Sequence, residues 1–81
     1  NIRSLDDYAF FRECINHLQQ AIKNLPTDQK KTLLLKLESH LSLSEIGGIT
    51  GVARETVKTR LRYARDKLKQ LIPEECLKVL A

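Results

Sequence analysis

The stretch from Ser42 to Leu71 constrains this 81-residue chain more than any other. Ser42-Leu-Ser-Glu45 has the spacing of a capping box, in which the serine hydroxyl serves the N3 amide and the glutamate reaches back to the cap amide. Ile46 and Ile49 are expected to face inward from the short helix that follows. Gly47 and Gly48 each weaken that helix by roughly 1 kcal/mol relative to alanine, which suggests room kept for a close-lying backbone. Gly51 allows the positive φ of a sharp turn. From Arg54 onward, Val57, Leu61, Ala64, Leu68 and Leu71 fall on one side of a helix at 100° per residue. Glu55, Thr59, Arg62 and Asp66 lie opposite, and the shoulders carry Arg54, Lys58, Arg65 and Lys69 on one edge and Thr56, Arg60, Tyr63 and Lys67 on the other. A capped short helix, a glycine turn and a longer basic amphipathic helix form a helix-turn-helix pattern, whose second helix fits the major groove of DNA.

Two further helices precede this unit. Ser4 followed by Asp6 and Asp7 places a capping oxygen and two carboxylates where unpaired N–H groups and the positive dipole end of a helix need them. Tyr8, Phe11, Ile15, Leu18, Ile22 and Leu25 then recur at steps of three and four, predicting one apolar stripe that stops at Pro26. Pro26 suits the start of a second helix, reaching to about Ser39, with Asp28 supporting its dipole. Leu33, Leu34 and Leu37 are expected to be its buried side, with Lys30, Lys31 and Lys36 in water. Pro73 ends the basic helix, and a final short turn can follow. The sequence therefore predicts an all-α, four-helix domain over 1–81: a leading helix (1–25), a helix-turn-helix core (26–72) and a C-terminal tail (73–81). The chain starts in mid-pattern at Asn1 without an initiator Met, as expected of a segment of a longer protein.

The net charge of +4 is unevenly placed. Residues 1–53 balance six Lys/Arg against six Asp/Glu, whereas residues 54–72 hold seven against two, so the whole excess sits on one helix. That concentration is what attraction to phosphates requires. No apolar run approaches a membrane span and no signal-peptide order is present, so the expected compartment is cytoplasmic and no membrane partner is expected. Cys14 and Cys76 are then expected as buried or free thiols rather than a disulfide. Cys14 and His17 share a helical face, but no second pair completes a zinc site, so no metal is expected. His17 and His40 lack a nucleophile and carboxylate relay, no phosphate-cradling loop occurs, and Asp6-Asp7 reads as capping. No enzyme activity, catalytic residue or cofactor is expected.

Leu25-Pro26 before a leucine-rich helix, then Leu43-Ser-Glu-Ile46, Gly51-Val52 and Thr56-Val-Lys-Thr-Arg-Leu-Arg-Tyr-Ala-Arg-Asp-Lys-Leu68, together resemble the C-terminal region 4 of bacterial RNA polymerase sigma factors, most closely the extracytoplasmic-function group. The resemblance covers roughly residues 20–72. It implies a promoter-recognition module that reads −35 element DNA with the helix Arg54–Leu71, docks on the β flap of RNA polymerase and is masked by an anti-sigma factor. By the same resemblance, Arg54, Glu55, Lys58, Thr59 and Arg62, with Tyr63, are the base readers, while Ser44, Thr56, Arg60 and Arg65 hold phosphates. Side-chain chemistry agrees: Arg and Lys donate to guanine O6 and N7, Glu accepts from cytosine N4, and Thr bonds either way or touches a thymine methyl. The family usually carries alanine where Gly47 stands, and a Ser, Thr or Pro where Ala53 precedes the reading helix.

Two other readings share parts of this pattern. The DNA-binding domain of a LuxR-type regulator also joins a leucine-rich helix, S-x-x-E-I, a turn and T-V-K-x-x-L; the Arg62, Arg65 and Lys69 continuation and the long leading helix favour the sigma reading. A helical protein-interaction module that binds no DNA would turn the same basic face toward an acidic partner.

Overall fold

The computed structural model describes residues 4–80; the outermost positions of the predicted segments, 1–3 and 81, lie outside the described residues. The described residues form five helices and no strand: α1 (Leu5–Lys23), α2 (Thr27–Glu38), α3 (Leu43–Thr50), α4 (Arg54–Leu71) and α5 (Glu74–Leu80). The all-α expectation holds. The expected count of four is exceeded by α5, because Pro73 ends one helix and also starts another: its carbonyl accepts the amides of Cys76 and Leu77.

Side-chain caps fix the starts of α1 and α3. The Ser4 hydroxyl accepts the Asp7 amide at 3.2 Å. Ser42 and Glu45 close the reciprocal box, with Glu45 N to Ser42 Oγ at 3.1 Å and Ser42 N to Glu45 Oε1 at 2.9 Å. The Ser42 amide first, and the Ser42 hydroxyl after it, hold the Glu45 carboxyl below its ordinary pKa, because an accepting carboxylate is favoured in its charged form. Gly51 caps α3 in the left-handed region at φ 75°.

Packing centres on α4, which receives α2 and α3 along its first part and α1 further on. Ile46, Val57 and Ala64 are fully buried, and Leu25 and Thr32 nearly so. A second cluster is formed by Cys14, Ala21, Ile72 and Cys76, with Leu18, Leu68, Leu77 and Leu80 packed around it. The molecule measures 45 × 23 × 16 Å with a radius of gyration of 14.6 Å. A compact chain of this length would be near 12 Å, so the two clusters are spread along a rod-like body.

Several expected core positions are corrected. Tyr8 is 48% exposed because α1, with 19 residues and therefore about 28 Å long, projects beyond the elements that cover it; burial begins at Cys14. On α2 the buried centre is Thr32, whose hydroxyl donates to the Asp28 carbonyl at 2.7 Å, while Leu37 is 64% exposed. Consecutive leucines at 33–35 make a broad apolar arc, and packing rather than period chose its centre. Ile49 is 62% exposed, since Ile46 and Gly47 take the inner face of the short α3. Leu71 is exposed and Ile72, leaving the helix, turns inward instead.

The cysteines are also corrected. Cys14 and Cys76 form a disulfide across a sequence separation of 62, with Cα atoms 5.2 Å apart. The bond exists because α5 folds back along α1, a return that no local pattern in the sequence announces. Cys14 is thereby committed, and it forms no half-site with His17; among the described residues no cluster of His, Cys, Asp and Glu could hold a metal ion. No helix among the described residues is long and apolar enough to cross a membrane.

Candidate nucleic-acid interface

Two short-range features aim α4. The left-handed Gly51 reverses the chain, and Val52 N donates back to Gly47 O at 3.0 Å, pulling the turn onto α3. A Cβ on Gly47 would sit 2.6 Å from the Val52 carbonyl oxygen, so the absence of a side chain there sets how closely the turn approaches. The neighbour that needs this room is the turn and not another helix. Gly48 has open space around it, and its glycine has no such explanation. Ala53 supplies no side-chain cap to α4, so the first amides of that helix are left to solvent or to an acceptor from outside.

With Val57 and Ala64 fully buried, the polar faces of α4 are forced outward. Glu55, Lys58 and Arg62 are exposed and Thr59 is half-buried. These four lie together along a cleft of about 500 Å³, joined by Arg65 from the next turn and by Lys36 of α2, with Leu43 of α3 on its wall. Four cations and one carboxylate give the cleft a positive field. Arg54 stands beside it, its Nη1 3.3 Å from Glu55 Oε1, in a pair too exposed to hold either side chain firmly. Tyr63 is outside the cleft and 51% exposed, with the Arg62 guanidinium 5.4 Å above its ring. That contact sets the Arg62 guanidinium against an aromatic face.

The four residues assigned to phosphates do not form one group. Ser44 is exposed in the first turn of α3 and Thr56 in the first turn of α4. Arg65 is on the cleft. Arg60 lies on the other flank of α4, with its guanidinium 3.6 Å from Asp28 Oδ2 of α2. It lines a separate cleft there with Thr32, Ile49 and Thr50. Conversely, the sequence left Lys36 as a solvated charge, and its place beside Lys58 and Arg62 was not legible. It reaches the cleft through the packing of α2 on α4, and its position within α2 carries no signal of that.

The "Sigma-70, region 4" family profile matches residues 13–68, from within α1 to the last turns of α4. The ECF RNA polymerase sigma factor SigW of Bacillus subtilis (strain 168) is 37% identical over 65 residues, covering 80% of this chain and 35% of that protein. The chain thus spans about a third of the length of this curated relative. No solved structure matches significantly. The matched segment includes α2, α3 and the whole cleft-bearing part of α4, and stops short of α5.

Proposed function

This chain belongs to the sigma-70 region 4 family in its extracytoplasmic-function form, and from that premise we propose that it is the promoter-recognition module of an alternative sigma factor, reading −35 element DNA with α4 and docking on RNA polymerase. The observation that carries the reading is the cleft in which Glu55, Lys58, Thr59 and Arg62 converge above the buried Val57.

In this reading the cations draw α4 to the duplex, and each neutralised phosphate contributes a salt slope of roughly 0.9. Ser44 and Thr56 donate from helix starts, where the dipole favours an anion. Arg65 follows the backbone, and the half-buried Arg60 leaves the exposed Asp28, 3.6 Å away, for a phosphate that can accept a stronger charge-assisted bond. Register is then fixed, and Glu55, Lys58, Thr59 and Arg62, flanked by Arg54 and Tyr63, meet base edges. The module works in the cytoplasm. Its affinity alone is low, because polymerase docking through the β flap adds a tethered second contact, and an anti-sigma factor controls it by covering these surfaces.

The test pairs a mobility-shift titration of −35-type and scrambled duplexes with binding to the isolated β flap. Discrimination between duplexes together with flap binding supports the sigma module. Discrimination with no flap affinity would favour a transcriptional regulator of another class, and no binding to either would exclude the proposal.

A further inference from the structure

The last helix is attached differently from the others. α5 has seven residues, fewer than a helix needs to persist unaided. It turns Cys76 fully inward and half-buries Leu77 and Leu80, while Glu74, Glu75, Lys78 and Val79 face out. Its packing is chiefly on α1. At the centre of that contact is the Cys14–Cys76 bond, with both residues essentially inaccessible at 0% and 2% exposure. Beside the bond is an apolar cavity of about 330 Å³ between Leu18, Leu68, Ile72, Leu77 and Leu80, with Arg65 and Lys69 at its rim. Cys76 and all of α5 lie beyond the family-matched segment, whereas Cys14 lies inside it.

We propose that Cys14 and Cys76 are a thiol–disulfide site that latches α5 onto the body of the domain: oxidised, the helix is closed down; reduced, it is released and uncovers Leu18, Leu68 and Ile72. The hinge is Ile72–Pro73, where the α4 hydrogen-bond ladder ends and proline offers no amide to continue it. The inference rests on the sigma reading in one respect only, that such a module works in the cytoplasm, where disulfides of mesophilic proteins are usually transient and regulatory.

The chemistry balances with two common reagent classes. A small dithiol opens the latch: its thiolate attacks one sulfur, the Cys14–Cys76 bond breaks, and the second thiol resolves the mixed disulfide. Both cysteines leave protonated and the dithiol becomes a disulfide, a two-electron exchange. A peroxide closes it. One thiolate attacks the peroxide to give a sulfenic acid and water, and the other displaces a second water to form the disulfide. Because both sulfurs are buried, a dithiol reaches the intact bond only through local loosening of the packing around it, whereas peroxide meets the thiols while the released α5 is swung away. The reduction rate therefore levels off as the dithiol concentration rises, at the rate of that local loosening.

Hydrogen exchange on the whole 81-residue chain, peroxide-treated and then dithiol-treated, tests the latch without DNA. In the reduced state the amides of 74–80 should lose protection by at least about tenfold more than those of α3 and the first half of α4, whose smaller loss reports only the lower global stability of the unlinked chain. Cys76→Ser should match the reduced state under either treatment. Equal protection of α5 in both states would overturn the proposal, as would a parallel loss throughout α3 and α4 or the persistence of two free thiols after peroxide. Failure of both states to bind −35 duplexes would instead remove the sigma reading and leave the latch result intact.

Discussion

The two ends of this molecule are held together by different kinds of force. Around α3 and the start of α4, order comes from neighbours in sequence: the Ser42–Glu45 box, the left-handed Gly51 and the Val52–Gly47 bond all span six residues or fewer. At the α1–α5 end a covalent link joins residues 62 apart, around a cluster with four buried members. In the chain-entropy view, closing such a loop removes roughly 4 kcal/mol of freedom from the unfolded state. The lesson is that the turn and the start of α4 are set by short-range geometry, while the distal end relies on a bond that chemistry can break.

The comparison breaks most sharply at Ile46, a fully buried side chain of the reading half. Ile46→Ala should cost about 2–5 kcal/mol, a large share of the stability of a small domain, and should lower the midpoint of oxidised and reduced protein alike in calorimetry. A loss confined to the reduced protein would show that the two ends are not independent. The next largest effects concern binding. Lys58→Ala should cost about 1–3 kcal/mol on the preferred duplex and relax discrimination at one or two base positions, whereas Arg65→Ala should weaken preferred and scrambled duplexes similarly. Competition binding separates them, and equal losses for Lys58→Ala would take it out of the reader set.

The glycines sharpen the comparison on a smaller scale. Gly48→Ala should stabilise by about 0.5–1 kcal/mol, as it meets nothing within 4 Å, while Gly47→Ala should destabilise by about 1 kcal/mol or more because a backbone carbonyl must move. Opposite signs in urea melts are the expected result. Smallest is a pH effect at Glu45. Its carboxyl is held below the ordinary range by the Ser42 bonds, so its contribution is full above the unfolded pKa and is lost as pH falls through the lower folded one. Acid titration of wild type against Glu45→Gln should show the difference between them shrinking only at acidic pH.

What the sequence disclosed follows the same divide. The bounds of α4, the capping box, the Gly51 turn and the inward Val57 and Ala64 were all legible, because each depends on spacing within a few residues. Leu37, Ile49 and Leu71 were misplaced because a rich apolar arc does not say which of its residues a partner helix will cover. The disulfide, α5 and the presence of Lys36 beside Lys58 were missed for a related reason. Each is a meeting of distant segments, and the expected compartment argued against the first of them. Of the candidate site, Glu55, Lys58, Thr59, Arg62 and Arg65 converge on one cleft, and Arg60 faces the other flank beside Asp28.

The central claim is that α4 buries its Val57 side and turns its Lys58–Arg62 face to promoter DNA. A titration of the isotopically labelled chain with a −35 duplex, followed by amide and side-chain chemical shifts, reports that face directly. The account predicts the largest shifts at Glu55, Lys58, Thr59 and Arg62, with 74–80 silent. Shifts concentrated on α1 and α5, with the α4 cleft unmoved at saturation, would contradict it.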